Sequence, residues 1–257
     1  MAVMDEFKEE REALRNGTPK EKLSYFWYYY KWYVIGTLIA VILIGSFVHQ
    51  LLTRTETVFD AVMMNTVLMT QDNAYEDEFT AYLGIDPKEE DIMFDTSIQI
   101  IENSMDETTY TSVMKLSAYT AAGDLDVMVT DTDSFRKYAN SETFFDLRTI
   151  LTDEQLAKYE PYFYYVDQKI IDEINTISDD PERLDELDNL VYPDPTKPEE
   201  METPIPVGIY LDNSKKLRDN FYFRGQDGTA EHIAIGIYVN TSHLENALKF
   251  LEFAFEG

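Results

Sequence analysis

The sequence predicts an α/β domain with a mostly parallel sheet and helices on both faces, preceded by a single transmembrane helix. After residue 55, short apolar runs alternate with stretches that begin on helix-capping residues. This alternation is typical of a sheet whose parallel strands are joined by helices. Before that point, no charged residue occurs from Trp32 to Thr53. The two observations separate a membrane anchor from a folded domain.

The apolar run predicts a membrane-spanning helix over Tyr33–Leu52. Its 20 residues rise about 1.5 Å each and cover about 30 Å, the thickness of a bilayer core. Eight aromatic residues occupy the nine positions from Tyr25 to Tyr33, interrupted only by Lys31, as in the aromatic belt of a membrane interface. A buried core helix is the alternative, although few soluble helices contain so long an uncharged run.

The flanking charges predict the orientation of this helix. Six basic residues precede the run and only Arg54 follows it before Lys88, so the positive-inside rule puts the N-terminus in the cytoplasm. The run exceeds the apolar part of a cleaved signal peptide, and no Ala-x-Ala-like site follows it. We expect a single-pass cell-membrane protein with a cytoplasmic amphipathic helical segment at 1–31, a signal anchor at 32–54 and an extracytoplasmic domain at 55–257.

Within the cytoplasmic segment, one short helix is expected to end at Asn16-Gly17. A second is expected to begin at Thr18-Pro19, where a capping residue precedes a first-turn proline, and to continue into the membrane.

The net charge of −28 is unevenly distributed. Residues 1–54 carry seven basic and six acidic residues, whereas residues 55–257 carry 14 basic and 43 acidic ones, a net charge of −29. Such a domain argues against nucleic-acid binding and favours cationic or neutral partners, although a surface that only keeps the protein soluble is the simpler explanation. The chain has no cysteine, which excludes disulfides, thiolate chemistry and a lipid-modified cysteine anchor.

The first half of the domain predicts three strands, each followed by a helix. The predicted strands are Val58–Thr66, Ile92–Ile101 and Leu125–Thr130. The first helix lies around Asp72–Leu83, the second runs from a capping box at Ser104 to Ala122, and the third opens at Asp131.

The second half predicts two further strand–helix units, with strands at Pro206–Leu211 and His232–Val239. Gly-Ile-Tyr recurs in them at 208 and 236, 28 residues apart, and the last helix begins at a capping box on Ser242. Residues 148–205 form an acidic, proline-rich elaboration between the halves. Its predicted parts are a helix capped by Thr152, a strand at Tyr162–Val166, a polar helix at Asp179–Asp188 and an exposed extended crossing at Tyr192–Pro206.

Small polar residues follow the predicted strands, where open parallel sheets bind ligands. If a ligand binds, we expect contacts with Asp131, Asp133, Asn213 and Asn240, and with Tyr164, whose ring could stack on a sugar or a cation. The charge favours small cationic, sugar or peptide-like solutes. A purely structural role is the alternative, because the strand-end residues also lie where helices need N-caps and strand aromatics commonly form core.

One motif suggests catalysis. The strand followed by Asp131-Thr132-Asp133 resembles the Asp-x-Asp signature of haloacid-dehalogenase-like phosphotransferases, where one carboxylate attacks phosphorus and the other moves a proton beside magnesium. That family carries the motif on its first strand, whereas two predicted strands precede it here. No nucleotide, hydrolase or metal motif occurs elsewhere. We therefore expect no catalytic residue, metal or cofactor, and keep this phosphotransferase as the enzymatic alternative.

Two segments, Ala122–Leu147 and residues 240–253, resemble bacterial extracellular solute-binding proteins of the type II periplasmic-binding fold. In that family, a Gly-Asp precedes the third strand, as Gly123-Asp124 does here, and a late helix returns to the first lobe. The resemblance implies a periplasmic-binding-protein-like lobe, and the Tyr-rich anchor resembles single-pass membrane proteins of Gram-positive anaerobes. The lipidated cysteine of the family is absent, and only residues 148–205 are available for a second lobe.

Two functions follow as hypotheses. The first is a non-enzymatic, membrane-anchored binding module that faces the outside of the cell. The second is a scaffold or accessory subunit of an envelope or transport complex, which has lost solute binding and contacts a protein partner.

Overall fold

The chain is described from a computed structural model that covers residues 18–52, 55–70, 73–101, 104, 106–225 and 228–255. It divides into two compact units, Met1–Arg54 and Thr55–Gly257. The predicted helix that ends at Asn16-Gly17 lies outside the described residues.

The first unit contains one long helix, α1 (Pro19–Leu52). It begins at the predicted proline, and the backbone N–H of Lys22 donates to the carbonyl of Thr18 at 3.1 Å. The 20 residues Tyr30–His49 have a mean hydropathy of 2.0, and none of them is buried within the chain. The helix is therefore long and apolar enough to span a membrane.

The second unit is an α/β domain built on a six-stranded sheet. Its strands are β1 (Glu56–Met63), β3 (Glu90–Asp95), β4 (Val127–Asp131), β5 (Phe163–Asp167), β6 (Pro204–Tyr210) and β9 (Ile233–Ile237), in the order β3-β1-β4-β9-β6-β5. A small second sheet has the order β2-β7-β8, formed by β2 (Thr66–Leu68), β7 (Phe221–Gly225) and β8 (Gly228–Thr229).

Seven α-helices accompany these strands in the described part of the domain. They are α2 (Ala74–Leu83), α3 (Glu107–Ala122), α4 (Thr132–Ala139), α5 (Asp153–Tyr159), α6 (Gln168–Ser178), α7 (Lys215–Asn220) and α8 (Leu244–Phe255).

The main sheet is mixed, so the expectation of a mostly parallel sheet is not confirmed. Strand β1 pairs in parallel with β3 and β4, whereas the β4–β9, β9–β6 and β6–β5 pairings are antiparallel. If the strand after β6 ran parallel to it, the chain would first have to cross back to the end of the sheet where β6 begins. Instead, the six-residue α7 leads into β7, which pairs with β2. The chain thus stays at the edge where β6 ends, and β9 runs back from it.

Helices cover both faces of the sheet, because consecutive strand residues point to opposite sides. On the first face, Phe59 and Ile235 pack in one core with Phe79 of α2 and Phe250 of α8. On the second face, Val62 and Met128 belong to another core with side chains from three helices. These are Leu116 of α3, Phe135 of α4 and Ile171 of α6.

Two glycines allow aromatic rings to lie directly on the second face. The pairing of Ile209 with Ile235 puts Gly208 opposite Gly236, so the two predicted repeats are neighbours. A Cβ at Gly208 would lie 2.6 Å from Cζ of Phe135, and a Cβ at Gly236 would lie 2.6 Å from Cγ of Phe144. The two rings stack on each other, with centroids 4.9 Å apart.

The elaboration differs from its prediction in two elements. The predicted exposed extended crossing contains a short 3-10 helix at Pro198–Glu200 and the buried Met201. The capping box at Thr152 is present, and the predicted strand is β5. The helix, however, is α6 rather than Asp179–Asp188, where the structure has a short 3-10 helix at Leu184–Asn189. Beyond it, the proline-rich segment runs beside β5, and the backbone N–H of Tyr165 donates to the carbonyl of Pro195 at 2.9 Å.

Candidate functional site

Three strand termini meet at one edge of the main sheet. Strands β4 and β6 end there, while β9 begins there because it runs antiparallel between them. This arrangement brings Asp131, Asp212 and His232 to the same edge. Asn213 follows Asp212 at this edge and is exposed.

Asp131 is fully engaged within the chain. Its Oδ1 accepts from the backbone N–H of Ser134 at 2.9 Å and so caps α4. Its Oδ2 accepts from Nδ2 of Asn65 at 3.3 Å and from Oγ1 of Thr130 at 3.1 Å. The side chain is buried. These contacts are those of a structural residue.

Asp212 anchors the start of β9. Its Oδ1 accepts from the backbone N–H of Ile233 at 2.8 Å, and its Oδ2 lies 2.7 Å from Nδ1 of His232. The guanidinium of Arg218 lies 3.7 Å from the same carboxylate. Asp212 remains partly exposed beside the exposed His232.

Three tyrosines surround this edge. The ring of Tyr164 lies 5.6 Å from that of Tyr210, which lies 6.1 Å from His232. Tyr192 comes from the proline-rich segment, and the guanidinium of Arg136 lies 5.5 Å from the centre of its ring. Tyr164 is buried, whereas Tyr192 and Tyr210 are partly exposed.

Carboxylates lie within electrostatic range of these tyrosines. Burial raises the pKa of Tyr164 above its ordinary value; Tyr210, Asp133 and Asp194 raise it further, and Arg136 opposes them. Burial likewise raises the pKa of Tyr210, and Asp194 and Asp212 add to the effect. We call this group the tyrosine–carboxylate edge. It consists of Tyr164, Tyr192, Tyr210, Asp133, Asp194 and Asp212.

A shallow cleft opens beside Tyr164 and Tyr192. It is lined by residues of α4, β5 and the proline-rich segment, and its empty space is about 200 Å³ including the open mouth. The cavity itself has a volume of about 10 Å³, which is room for about one water molecule. The cleft as it stands therefore has room for a group of about the size of one ammonium rather than for a whole solute.

Asp167 closes the far side of this cleft. It caps α6 through the backbone N–H of Lys169 at 3.2 Å and accepts from the backbone N–H groups of Glu202 at 2.8 Å and Thr203 at 3.0 Å. Burial opposes ionisation, but these hydrogen bonds lower the pKa of Asp167 below its ordinary value. The carboxylate thus fastens the end of the proline-rich segment to β5.

The predicted ligand-binding residues are only partly brought together. Asp133 and Tyr164 belong to the tyrosine–carboxylate edge, and Asn213 lies at the same end of the sheet. Asp131 is buried beneath it. Asn240 follows β9 and is exposed at the opposite end, because β9 is antiparallel.

Sequence reasoning missed several residues in this edge or in contact with it. They are Arg136, Tyr192, Asp194, Tyr210, Asp212 and His232. Tyr210 and Asp212 occur at a predicted strand end, and the recurring Gly-Ile-Tyr could have singled out Tyr210. Nothing in the sequence indicated that the proline-rich segment would bring Tyr192 to the same place.

A second group of acidic residues lies buried where β1 runs beside the start of β4. The Oδ2 of Asp126 accepts from the backbone N–H of Asp60 at 2.7 Å and lies 3.2 Å from Nδ1 of His243. Oδ1 of Asp60 is buried and has no hydrogen-bond partner within the described residues. Burial, followed by Asp126, Asp95 and Asp124, raises the pKa of Asp60 to about 7, while Lys115 opposes the shift.

Within the described ranges, no group of three or more His, Asp or Glu side chains is arranged to hold a metal ion. No protein-family model matches the sequence, and neither a curated protein nor a solved structure matches it.

Proposed function

We propose that the chain is a single-pass membrane protein with its N-terminus in the cytoplasm and its α/β domain outside. The charge asymmetry supports this orientation, since six basic residues precede the apolar part of α1 and Arg54 alone follows before Lys88. The domain's net charge of −29 would keep it away from anionic lipid headgroups.

The domain acts, in this proposal, as a non-enzymatic binding module that recognises a cationic group on its ligand. The tyrosine–carboxylate edge carries the proposal. Aromatic faces attract ammonium and guanidinium groups, and nearby carboxylates strengthen that attraction. The edge already holds one guanidinium, because Arg136 lies over the ring of Tyr192. A ligand would place a second cationic group against Tyr210 and Asp194.

The predicted resemblance to solute-binding proteins bears on the fold of this proposed module rather than on its ligand. The late helix of that family returns to its first lobe, and α8 packs here against the first strand. Nδ2 of Asn246 donates to the carbonyl of Val58 at 2.9 Å, and the rings of Phe250 and Phe59 lie 5.0 Å apart.

The experiment is a ligand-binding series on the full-length chain in detergent micelles. Arginine, putrescine and tetramethylammonium should raise the unfolding temperature of the domain, whereas sucrose and acetate should not. Tyr210→Ala should weaken binding about five-fold, which corresponds to about 1 kcal/mol for a lost cation–π contact. Asp194→Asn should weaken it as well, and Asp185→Asn, which removes an exposed distant carboxylate, should not. Equal responses to cationic and neutral probes would contradict the proposal.

A scaffold or accessory subunit is the second candidate. It is favoured because polar side chains at the strand ends, such as Asp131 and Asp167, already accept hydrogen bonds from the chain itself and so are less available to a ligand. Chemical cross-linking in native membranes should then capture a stoichiometric protein neighbour of a different sequence. Recovery of the uncross-linked chain alone would argue against it.

The phosphotransferase hypothesis remains a prediction with a simple assay. Both carboxylate oxygens of Asp131 already accept hydrogen bonds from the chain, so attack on phosphorus would require them to break. Hydrolysis of p-nitrophenyl phosphate with Mg²⁺, abolished by Asp131→Asn, would support the enzyme, and inertness would remove it.

A further inference from the structure

Helix α3 buries two hydroxyl residues beside one leucine and exposes several large apolar residues to solvent. The buried residues of the helix are Thr109, Ser112 and Leu116. Oγ of Ser112 accepts from the backbone N–H of Gln99 at 3.0 Å, and Oγ1 of Thr109 accepts from that of Ile101 at 3.4 Å. The helix is thus attached through two hydroxyl groups as well as Leu116, whereas an ordinary surface helix buries a wider apolar face.

The outer face of α3 is a continuous uncharged stripe. Tyr110, Met114, Ser117 and Ala121 follow one another at helical spacings of four, three and four residues, so they line one side of the helix. Val113 and Ala118 flank them, and all six are exposed. The exposed fractions of Tyr110 and Met114 are 66% and 54%. We call these six residues the α3 stripe.

Charge is missing from this surface although it is abundant elsewhere. Of the 203 residues from 55 to 257, 57 are charged, yet Lys115 is the only charged residue between 108 and 123. Lys115 is not part of the stripe, because its Nζ is paired with Oδ2 of Asp95 on β3 at 2.7 Å. A partner selected by basic charge would find no carboxylate among the six stripe residues.

The stripe is complementary to itself. If two α3 helices pair antiparallel about a two-fold axis between Lys115 and Leu116, each large side chain along the centre of the stripe meets a small one. Tyr110 then lies opposite Ala121 of the second helix and Met114 opposite Ser117, while Val113 and Ala118 lie on the two flanks of the contact. Such large-to-small matching lets two helices approach closely, and a two-fold axis requires that a patch match itself.

We propose that the α3 stripe is the contact between two copies of this chain, paired antiparallel through α3. The uncharged stripe is where two domains of net charge −29 can meet with the least repulsion. One helix pair buries less surface than a standard interface, so the contact is weak in solution and is strengthened when both copies are confined to one membrane. This contact is independent of the tyrosine–carboxylate edge.

The absence of cysteine allows a direct test by disulfide cross-linking of full-length chains in membranes. Chains carrying Met114→Cys and chains carrying Ser117→Cys, co-expressed with different tags, should form mixed disulfides. The pair Tyr110→Cys with Ala121→Cys should do so as well. Tyr110→Cys should not link to itself, because two copies of residue 110 would be offset by about 17 Å along the helices, beyond the reach of a disulfide.

Thr108→Cys with Ala121→Cys is the matched control, since Thr108 is exposed on another side of α3. Mixed disulfides in both predicted pairs, with none in the control, support the antiparallel contact. Self-linking of Tyr110→Cys, links equal to the control, or links only to a different protein would each overturn it.

Two further measurements do not depend on cross-linking. Met114→Glu should lower the dimer fraction of the full-length chain in native mass spectrometry of nanodiscs by at least ten-fold, while Thr108→Glu should leave it unchanged. High salt should raise the dimer fraction, because it screens the repulsion between the acidic domains. A dimer fraction that salt lowers, or that Met114→Glu leaves unchanged, would contradict the proposal.

Discussion

The two faces of the main sheet are packed in different ways. The first face is aromatic: the rings of Phe59, Phe79, Phe94 and Phe250 lie within about 6 Å of one another. The second face buries Asp60, Asp95 and Asp126 beside its apolar residues, and α3 contacts it through hydroxyl and ammonium groups as well as Leu116. The first face therefore stabilises the domain by burial of apolar surface, whereas the second exchanges part of that burial for polar contacts and leaves apolar side chains on the surface.

The largest expected effect comes from a substitution in the aromatic core of the first face. Phe250→Ala removes a fully buried ring that contacts four others and should cost about 3–5 kcal/mol of unfolding free energy. Hydrogen exchange of domain amides in the full-length chain measures this loss. Tyr82→Ala, at the 45% exposed rim of the same cluster, should cost less than half as much. Equal losses would show that the cluster is not the main source of stability.

The next effect tests the acidic second face through pH. The folded state holds the proton of Asp60 with a pKa of about 7, whereas the unfolded chain has the ordinary value of about 4. The folded state thus binds more protons between these values, so stability falls as pH rises from about 4 to about 7, by up to about 4 kcal/mol.

Asp60→Asn should remove this fall and make the domain more stable than the parent at pH 8. Unfolding temperatures of both chains across the pH range, with Asp219→Asn as the exposed control, check the expectation. The surrounding groups Asp95, Asp124, Asp126 and Lys115 are unchanged in both. Parallel pH profiles for parent and Asp60→Asn would mean that Asp60 titrates normally.

A smaller effect tests the close approach of rings to the second face. Gly208→Ala puts a Cβ 2.6 Å from the Phe135 ring and should cost about 1–3 kcal/mol through overpacking. Combining it with Phe135→Leu should recover part of that loss, giving non-additive free energies. Strict additivity in urea unfolding would show that the ring does not restrict this position.

The smallest effect lies outside both faces, at the capping box of α5. Thr152→Ala removes the acceptor for the backbone N–H of Gln155, 3.3 Å away, and should cost about 1 kcal/mol. Thr152→Ser should restore most of it, as followed by thermal unfolding. A loss as large as that from Phe250→Ala would contradict the assignment of stability to the aromatic face.

Local signals predicted the elements that depend on local physics. The uncharged run predicted α1, and Asp131 predicted the start of α4. Both signals lie in one contiguous stretch of sequence, since a cap acts on the next few residues and a membrane-spanning helix needs one unbroken apolar run. The direction of β9 was not predictable in this way, since it depends on whether α7 carries the chain across the sheet. Asn240 was therefore assigned to the wrong end.

Two further differences have the same physical origin. Helix α6 has isoleucines at helical spacing at 171, 174 and 177, and this pattern indicates a helix ahead of the more polar segment that follows. The tyrosine–carboxylate edge depends on the proline-rich segment returning to β5, a contact between residues about 30 positions apart. Neither composition nor periodicity specifies such a contact.

The position of the proline-rich segment has a consequence for solubility. Strand β5 is the last strand of its sheet, and an open last strand invites pairing with other chains and aggregation. Here the carbonyl of Pro195 occupies a backbone donor of β5, and prolines at 193, 195 and 198 have no N–H of their own to offer a further strand. The segment thus ends the sheet without offering a further strand a full row of backbone N–H groups.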